Sequence, residues 1–169
     1  MYLLDANVVI AAHRKYYGID QVPEFWEWLH YHAAEGALKM PAEIHAEIKY
    51  DKDNPDPLAE WANSEDVKPH LVLPDEVPIG LLQVVLQNGY APNLNDIEIE
   101  QIGGDPFLIA AAGMDPENRT VVTVEVSKPS RRRARRRIPD VCDDLGISWI
   151  DEHTFTKDLG FSTNWKAKT

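Results

Sequence analysis

The sequence predicts an α/β fold: a three-layer α/β/α arrangement around a central, mostly parallel twisted sheet. Two observations carry that expectation. Short runs of strand-forming residues alternate with helical segments over the whole length, a pattern that lays strands side by side and covers both faces of the sheet with helices. The 169 residues, 44 % of them hydrophobic, also suffice for one sizeable core but are too few for two ordinary domains, so residues 1–169 are expected to form a single domain.

The elements follow in order. "YLL" at 2–4 reads as a short buried strand, and 7–15 as a helix opening directly after Asp5. "PEFWEWLHYHAAE" at 23–35 is helical, with Pro23 at its start and Gly36 as its stop. "ALKM" is a further short strand. Pro41 opens a helix expected to run to about residue 50, which sets Glu43 and Glu47 one turn apart on one face. "YDKDNPDP" at 50–57 is turn chemistry, followed by a helix near 57–64. "HLVLP" is a strand candidate, and 75–88 and 94–101 are helix candidates, the second with Asn95 or Asp96 near its cap. "GGDPFLIAAAGM" at 103–114 has the clearest helix start: glycines give freedom, Asp105 is suited to the cap and Pro106 to the first turn. "RTVVTVEV" and "GISWI" are late strands, separated by an arginine run and a helix over 139–145 that opens at Pro139 and stops at Gly146.

Charge and cysteine content narrow the function classes. The formal charge is −11, and six of the 17 basic residues lie in "RRRARRR" at 131–137, which leaves 11 basic against 28 acidic residues elsewhere. A uniform basic footprint for nucleic acid is absent; a polyanion has only that run to approach, or an acidic pocket neutralised by bound cations. Cys142 is the only cysteine, so an intrachain disulfide and multi-cysteine zinc patterns are excluded. The six histidines form neither an H-x-x-x-H pair nor HExxH, so zinc is not expected. Neither a signal peptide nor a membrane span is read, and the expected location is the cytoplasm.

In folds of this class the C-terminal ends of strands and the N-terminal ends of helices face one crevice. Asp5 ends the first strand, Glu125 ends "TVVTVE", Asp105 opens the helix before that strand, and Glu47 is placed to reach the same edge. Four carboxylates in one cleft raise each other's pKa values. A hard divalent cation, Mg²⁺ or Mn²⁺, removes the conflict, because it takes oxygen ligands and organises phosphates in its open positions. That chemistry suits phosphodiester hydrolysis.

"MYLLDANVVI", "AEIHAEI", "GDPFLIAAA", "VVTVEV" and "IPDVCDDLGI" together resemble a PIN-like domain, the nuclease fold of VapC-type toxins, and in particular a bacterial subfamily sharing "FWEWL", "LAEWA" and "IPDVC". The resemblance spans nearly the whole chain. It implies a metal-dependent endoribonuclease with Mg²⁺ or Mn²⁺ held by Asp5, Glu47, Asp105 and Glu125, supported by Asn7 and Thr123. It also implies a toxin role, with an RNA substrate, a cognate antitoxin protein and a homodimer as partners. One position departs from the family: its fourth acid is normally an aspartate in T-x-D, and here Thr123 and Val124 are followed by Glu125. The longer side chain leaves open a water-mediated second metal or a weak second site.

Blander readings stand beside these. Asp5 and Asp105 suit plain helix caps, worth about 1 kcal/mol each. Glu47 suits a solvated helix face, with Glu43 its rival, and Glu125 an exposed strand end. Asp140 favours a helix N-terminus electrostatically; His13 and His45 read as structural, Trp26 and Trp28 as packing, and Cys142 as core. The run Arg131, Arg132, Arg133, Arg135, Arg136 and Arg137 reads as a mobile solvated loop at the rim of the cleft, placed to contact RNA backbone. A PIN-like protein that binds RNA or a partner without cleaving is the main alternative. A haloacid-dehalogenase-like phosphatase is less favoured, because Asn7 replaces its second aspartate and "GGD" precedes "VVT". A phosphoacceptor receiver domain lacks its late-strand lysine.

Overall fold

In the computed structural model, which describes residues 1–49, 53 and 56–167, four short strands organise the chain: β1 (Tyr2–Leu4), β2 (Leu38–Lys39), β3 (Thr120–Val122) and β4 (Trp149–Ile150). All pair in parallel, in the order β2-β1-β3-β4. Leu3 stands opposite Lys39 on one side and Val121 on the other, and Val122 opposite Ile150. Leu3, Leu4, Val121 and Val122 are fully buried. Strands covered by helices on both faces need apolar side chains in both directions, so these segments lack polar alternation.

The helices are α1 (Ala6–Ala11), which continues in wider turns through Tyr16, α2 (Pro23–Ala34), α3 (Ala42–His45), α4 (Pro57–Asn63), α5 (Lys68–Leu71), α6 (Ile79–Val84), continued through Tyr90, α7 (Asp96–Ile102), α8 (Asp105–Gly113), α9 (Ile138–Leu145) and α10 (Glu152–Asp158). The three-layer α/β/α fold is the expected one. Pro23 and Pro139 sit in the first turns of α2 and α9, where a missing N–H costs nothing. Gly146 ends α9 in the left-handed region at φ 68°.

Several local expectations are corrected. The helix after Pro41 ends at His45, because the N–H groups of Glu47 and Ile48 close on the carbonyls three residues back, Ile44 at 3.1 Å and His45 at 3.0 Å. "HLVLP" gives one parallel bridge, Met40 to Val72, instead of a strand. The helical turn of α5 runs to Leu71, so only two residues remain extended before Pro74. Of the turn expected over 50–57, residues 50–52, 54 and 55 lie outside the described residues.

Packing explains the tryptophans. Trp26 and Trp28 are both buried. Trp28 packs against Phe25, Phe155 and Phe161, with ring centres 5.1–5.7 Å apart, separations at which aromatic pairs attract. Phe155 belongs to α10, an element the sequence reading did not anticipate. α8 is apolar on every side, with Leu108 to Ala112 all fully buried, as befits a helix enclosed in the interior. Among the described residues no helix is long and apolar enough to cross a membrane.

The strand order places the site. From central β1 the chain moves outward to β2, then returns across β1 to β3 and β4. The ends of β1 and β3 therefore lie side by side where the direction of winding reverses, the position at which open α/β sheets form a crevice.

Candidate functional site

Asp5 follows β1 without an intervening residue. Its N–H donates to the Val122 carbonyl at 3.0 Å, which ties it to the end of β3. Its Oδ1 accepts from the Asn7 N–H at 3.2 Å and more distantly from Asn7 Nδ2 at 3.5 Å, while Oδ2 accepts from the Thr123 hydroxyl at 3.0 Å. The capping role is therefore real. It uses one carboxylate oxygen, and Thr123 orients the other. Asp5 is 1 % exposed, and burial pushes its carboxyl up to about 6; the bonds from Asn7 and Thr123 oppose the rise, and the charges of Glu47 and Glu125 add to it.

Asp105 differs from the cap expected of it. It is the first residue of α8, and the cap position falls to Gly104, which has no side chain to offer. Among the described residues no donor reaches the Asp105 carboxylate. Burial, followed by the charges of Asp5, Glu125 and Glu47, pushes it up to about 8, and Arg137 partly offsets them. A half-buried carboxyl that feels three other acids and has no hydrogen-bond donor is costly to ionise.

Glu47 lies in the turn beyond α3, so it shares no helix face with Glu43. Its Oε1 accepts from the Gly104 N–H at 3.1 Å. Gly104 is required there for space: a Cβ would come within 2.5 Å of that oxygen and 2.9 Å of Ile44 Cδ1. Of the two adjacent glycines, Gly103 is the one that needs backbone freedom, at φ 64°.

Glu125 is three residues past β3, in a loop, so it is not the strand end expected. Arg137 donates to its Oε1, and the Ile138 N–H donates to its Oε2 at 2.8 Å. Its own N–H donates to Thr123 Oγ1 at 3.1 Å. The Thr123 hydroxyl thus links Asp5 to Glu125.

The charges of Asp5, Glu47 and Glu125 all act on Asp105. Among the described residues, however, no three Asp, Glu, His or Cys side chains stand as a ready metal-ligand group. Their donor chemistry is wholly oxygen, which fits a hard cation held by one or two carboxylates with waters completing the shell. The Asp105 carboxylate, which accepts no hydrogen bond from a described residue, is the observation that favours such an ion. Asp5 and Asp105 fit as direct ligands, Glu47 through its second oxygen, and Glu125 least well because the Arg137 guanidinium already meets its charge.

The arginine run is not the free loop expected. Arg133, at φ 54°, directs Nε and Nη2 to Glu98 at 2.6 and 2.7 Å and Nη1 to Asn93 at 2.8 Å. Arg136 holds the Gly89 and Asp140 carbonyls and the Asp144 carboxylate. Arg137 holds Glu125, and Arg132 folds back onto the carbonyls of Pro129 and Arg131. Arg131 and Arg135 make no ion pair with a described residue.

The remaining candidates are structural. Asp140 is buried and accepts from Ser127 Oγ at 2.6 Å and the Lys128 N–H at 2.8 Å, which pins the loop after β3. His45 meets the Ala62 carbonyl at 3.0 Å, and His13 Nδ1 accepts from the Ile19 N–H. Sequence reasoning missed Tyr90, whose buried hydroxyl has no partner among the described residues. Burial raises its pKa, and the charge of Asp105 raises it further. No motif surrounds it.

The sequence pattern of a family described as a domain of unknown function, DUF4411, matches residues 2–163, and the chain belongs to that family. No curated protein and no solved structure matches it.

Proposed function

We propose that this DUF4411 chain is a metal-dependent endoribonuclease of PIN-like type that hydrolyses RNA phosphodiesters with Mg²⁺ or Mn²⁺. The observation that carries the reading is the pair of carboxyls at the switch point, the buried Asp5 and the half-buried Asp105, which accepts no hydrogen bond from a described residue; their pKa values are pushed up to about 6 and about 8. When bound, a divalent cation there neutralises phosphate charge and makes water a competent nucleophile near neutral pH.

The chain's own residues prepare the site. Thr123 and the Asn7 N–H fix the Asp5 carboxylate, so little reorganisation remains for the reaction. The bond from the Gly104 N–H to Glu47 holds the start of α8, and with it Asp105, against the turn after α3. Arg131, Arg132 and Arg135 offer the positive charge that RNA backbone needs. The toxin role, a cognate antitoxin, a homodimer and a cytoplasmic location belong to the same proposal through the resemblance to VapC-type proteins.

The deciding assay incubates single-stranded RNA with wild type and Asp5→Asn in Mn²⁺ and in EDTA. Cleavage by the wild type in Mn²⁺ alone is the expected result; cleavage indifferent to EDTA or to the substitution refutes the metal-nuclease reading. The non-catalytic alternative, a PIN-like RNA- or partner-binding protein, draws support from the engaged Glu125 and predicts RNA retention without cleavage. Growth arrest on induced expression, abolished by Asp5→Asn, is the expected sign of a toxin.

A further inference from the structure

We propose that Arg137 binds the substrate phosphate at the acidic cluster, and that Glu125 is the positioning residue that holds it there. This rests on the nuclease reading and deepens it. Glu125 meets residues 137 and 138 with both oxygens: Oε1 takes Arg137 Nη1, and Oε2 takes the Ile138 N–H at 2.8 Å. A carboxylate used in this way clamps the start of α9. It also leaves Nη2 and Nε of Arg137 without hydrogen-bond partners among the described residues.

The neighbouring arginines behave differently. Arg133 spends all three of its nitrogens on Glu98 and Asn93, and Arg136 uses both terminal nitrogens on carbonyls and Asp144. The Arg137 side chain is 32 % exposed while that of Glu125 is 17 % exposed, so the cation reaches solvent and its holder is sheltered. Arg137 is also near enough to Asp105 for its charge to oppose the effect of the other acids.

A guanidinium anchored through one arm, with its other donors free beside a group of carboxylates, suits a phosphate oxygen better than a metal. Its planar fork matches phosphate geometry, which a lysine ammonium does not. The reach of Glu125 gives its extra methylene a use. The hydrogen bonds also run continuously from Asp5 through Thr123 to Glu125 and Arg137, with 3.0 Å and 3.1 Å on the two sides of the Thr123 hydroxyl. Phosphate-binding cation and carboxylates are thereby held in one register.

The test uses the full chain and a short single-stranded phosphorothioate RNA in Mn²⁺, with affinity read by fluorescence anisotropy and Mn²⁺ binding read separately by calorimetry. Arg137→Ala is expected to weaken RNA binding about tenfold, which corresponds to about 1.4 kcal/mol. Arg137→Lys recovers only part of that loss, and Arg135→Ala weakens binding less. Glu125→Gln weakens RNA binding with Mn²⁺ affinity unchanged, and its effect is not additive with Arg137→Ala. If the wild type cleaves, Arg137→Ala lowers kcat about a hundredfold.

Wild-type RNA affinity in Arg137→Ala, or loss of Mn²⁺ binding in Glu125→Gln, overturns the proposal. A wild type that binds Mn²⁺ and RNA but cleaves nothing overturns the nuclease reading alone, and the anisotropy still decides Arg137. A wild type that binds neither overturns both.

Discussion

The ends of β1 and β3 lie side by side and each leads to an acid, yet the two acids live in opposite electrostatic conditions. Asp5 is held by neutral donors, a backbone N–H and a threonine hydroxyl, which fix its direction without cancelling its charge. Glu125 is held by a guanidinium and a backbone N–H, so its charge is already met. Lying near the end of a strand therefore does not by itself make a carboxylate suited to a metal. What matters is whether a cation already pairs with it, and at this switch point neither Asp5 nor Asp105 makes an ion pair with a described residue.

The largest effect follows from removing either carboxylate. Asp105→Asn and Asp5→Asn are each expected to reduce Mn²⁺-dependent RNA cleavage by about a hundredfold or more, since one preorganised charge contact commonly carries that much. Initial rates at saturating Mn²⁺ measure it; a loss in Glu125→Gln that includes Mn²⁺ binding, with both aspartate variants active, would break the comparison outright.

Next in size is the hydroxyl that joins the two ends. Thr123→Val keeps the shape but strands an oxygen of Asp5 and the N–H of Glu125, and is expected to cost about 1–3 kcal/mol in denaturant unfolding. Gly104→Ala pushes a Cβ against Glu47 and Ile44 at 2.5 and 2.9 Å, with an expected cost of about 1–3 kcal/mol. It should also weaken Mn²⁺ binding, because the start of α8 must move.

The pH dependence sharpens the contrast. Both aspartates are raised above the ordinary 3.8, Asp5 to about 6 and Asp105 to about 8. The folded state then binds these protons more tightly than the unfolded chain. Their contribution to stability is complete below pH 3.8 and is lost as pH rises through about 6 and about 8. The melting temperature of the metal-free protein should fall across that window, and less steeply in Asp105→Asn. Glu98 has the opposite sense: Arg133 and the Asn95 N–H lower it to about 2, so its contribution is lost only in acid. The smallest expected change is in Arg135→Ala, whose stability should stay within about 0.5 kcal/mol of wild type in the same melts.

Legibility in the sequence followed the range of the interactions. The parallel sheet was readable because each strand is a short apolar run bounded by turns or helix starts. Asp5 and Asp105 were readable because each sits at a junction of elements, although the bare carboxylate of Asp105 was not. Helix α10 escaped notice because Phe155 is its only buried residue and gives no periodicity. The approach of Glu47 to Gly104 depends on three-residue closures after α3, which no local pattern announces. The arginine run was the least readable part. Six identical side chains look alike in sequence, and only their partners, Glu98, Asp144 and Glu125, tell them apart.

A crystal soaked in Mn²⁺ tests the central claim most directly. An anomalous peak about 2.1 Å from carboxylate oxygens of Asp5 and Asp105, with Glu125 still on Arg137, is the predicted result. A peak away from Asp5, or one ligated by Glu125 in place of Asp105, would contradict it.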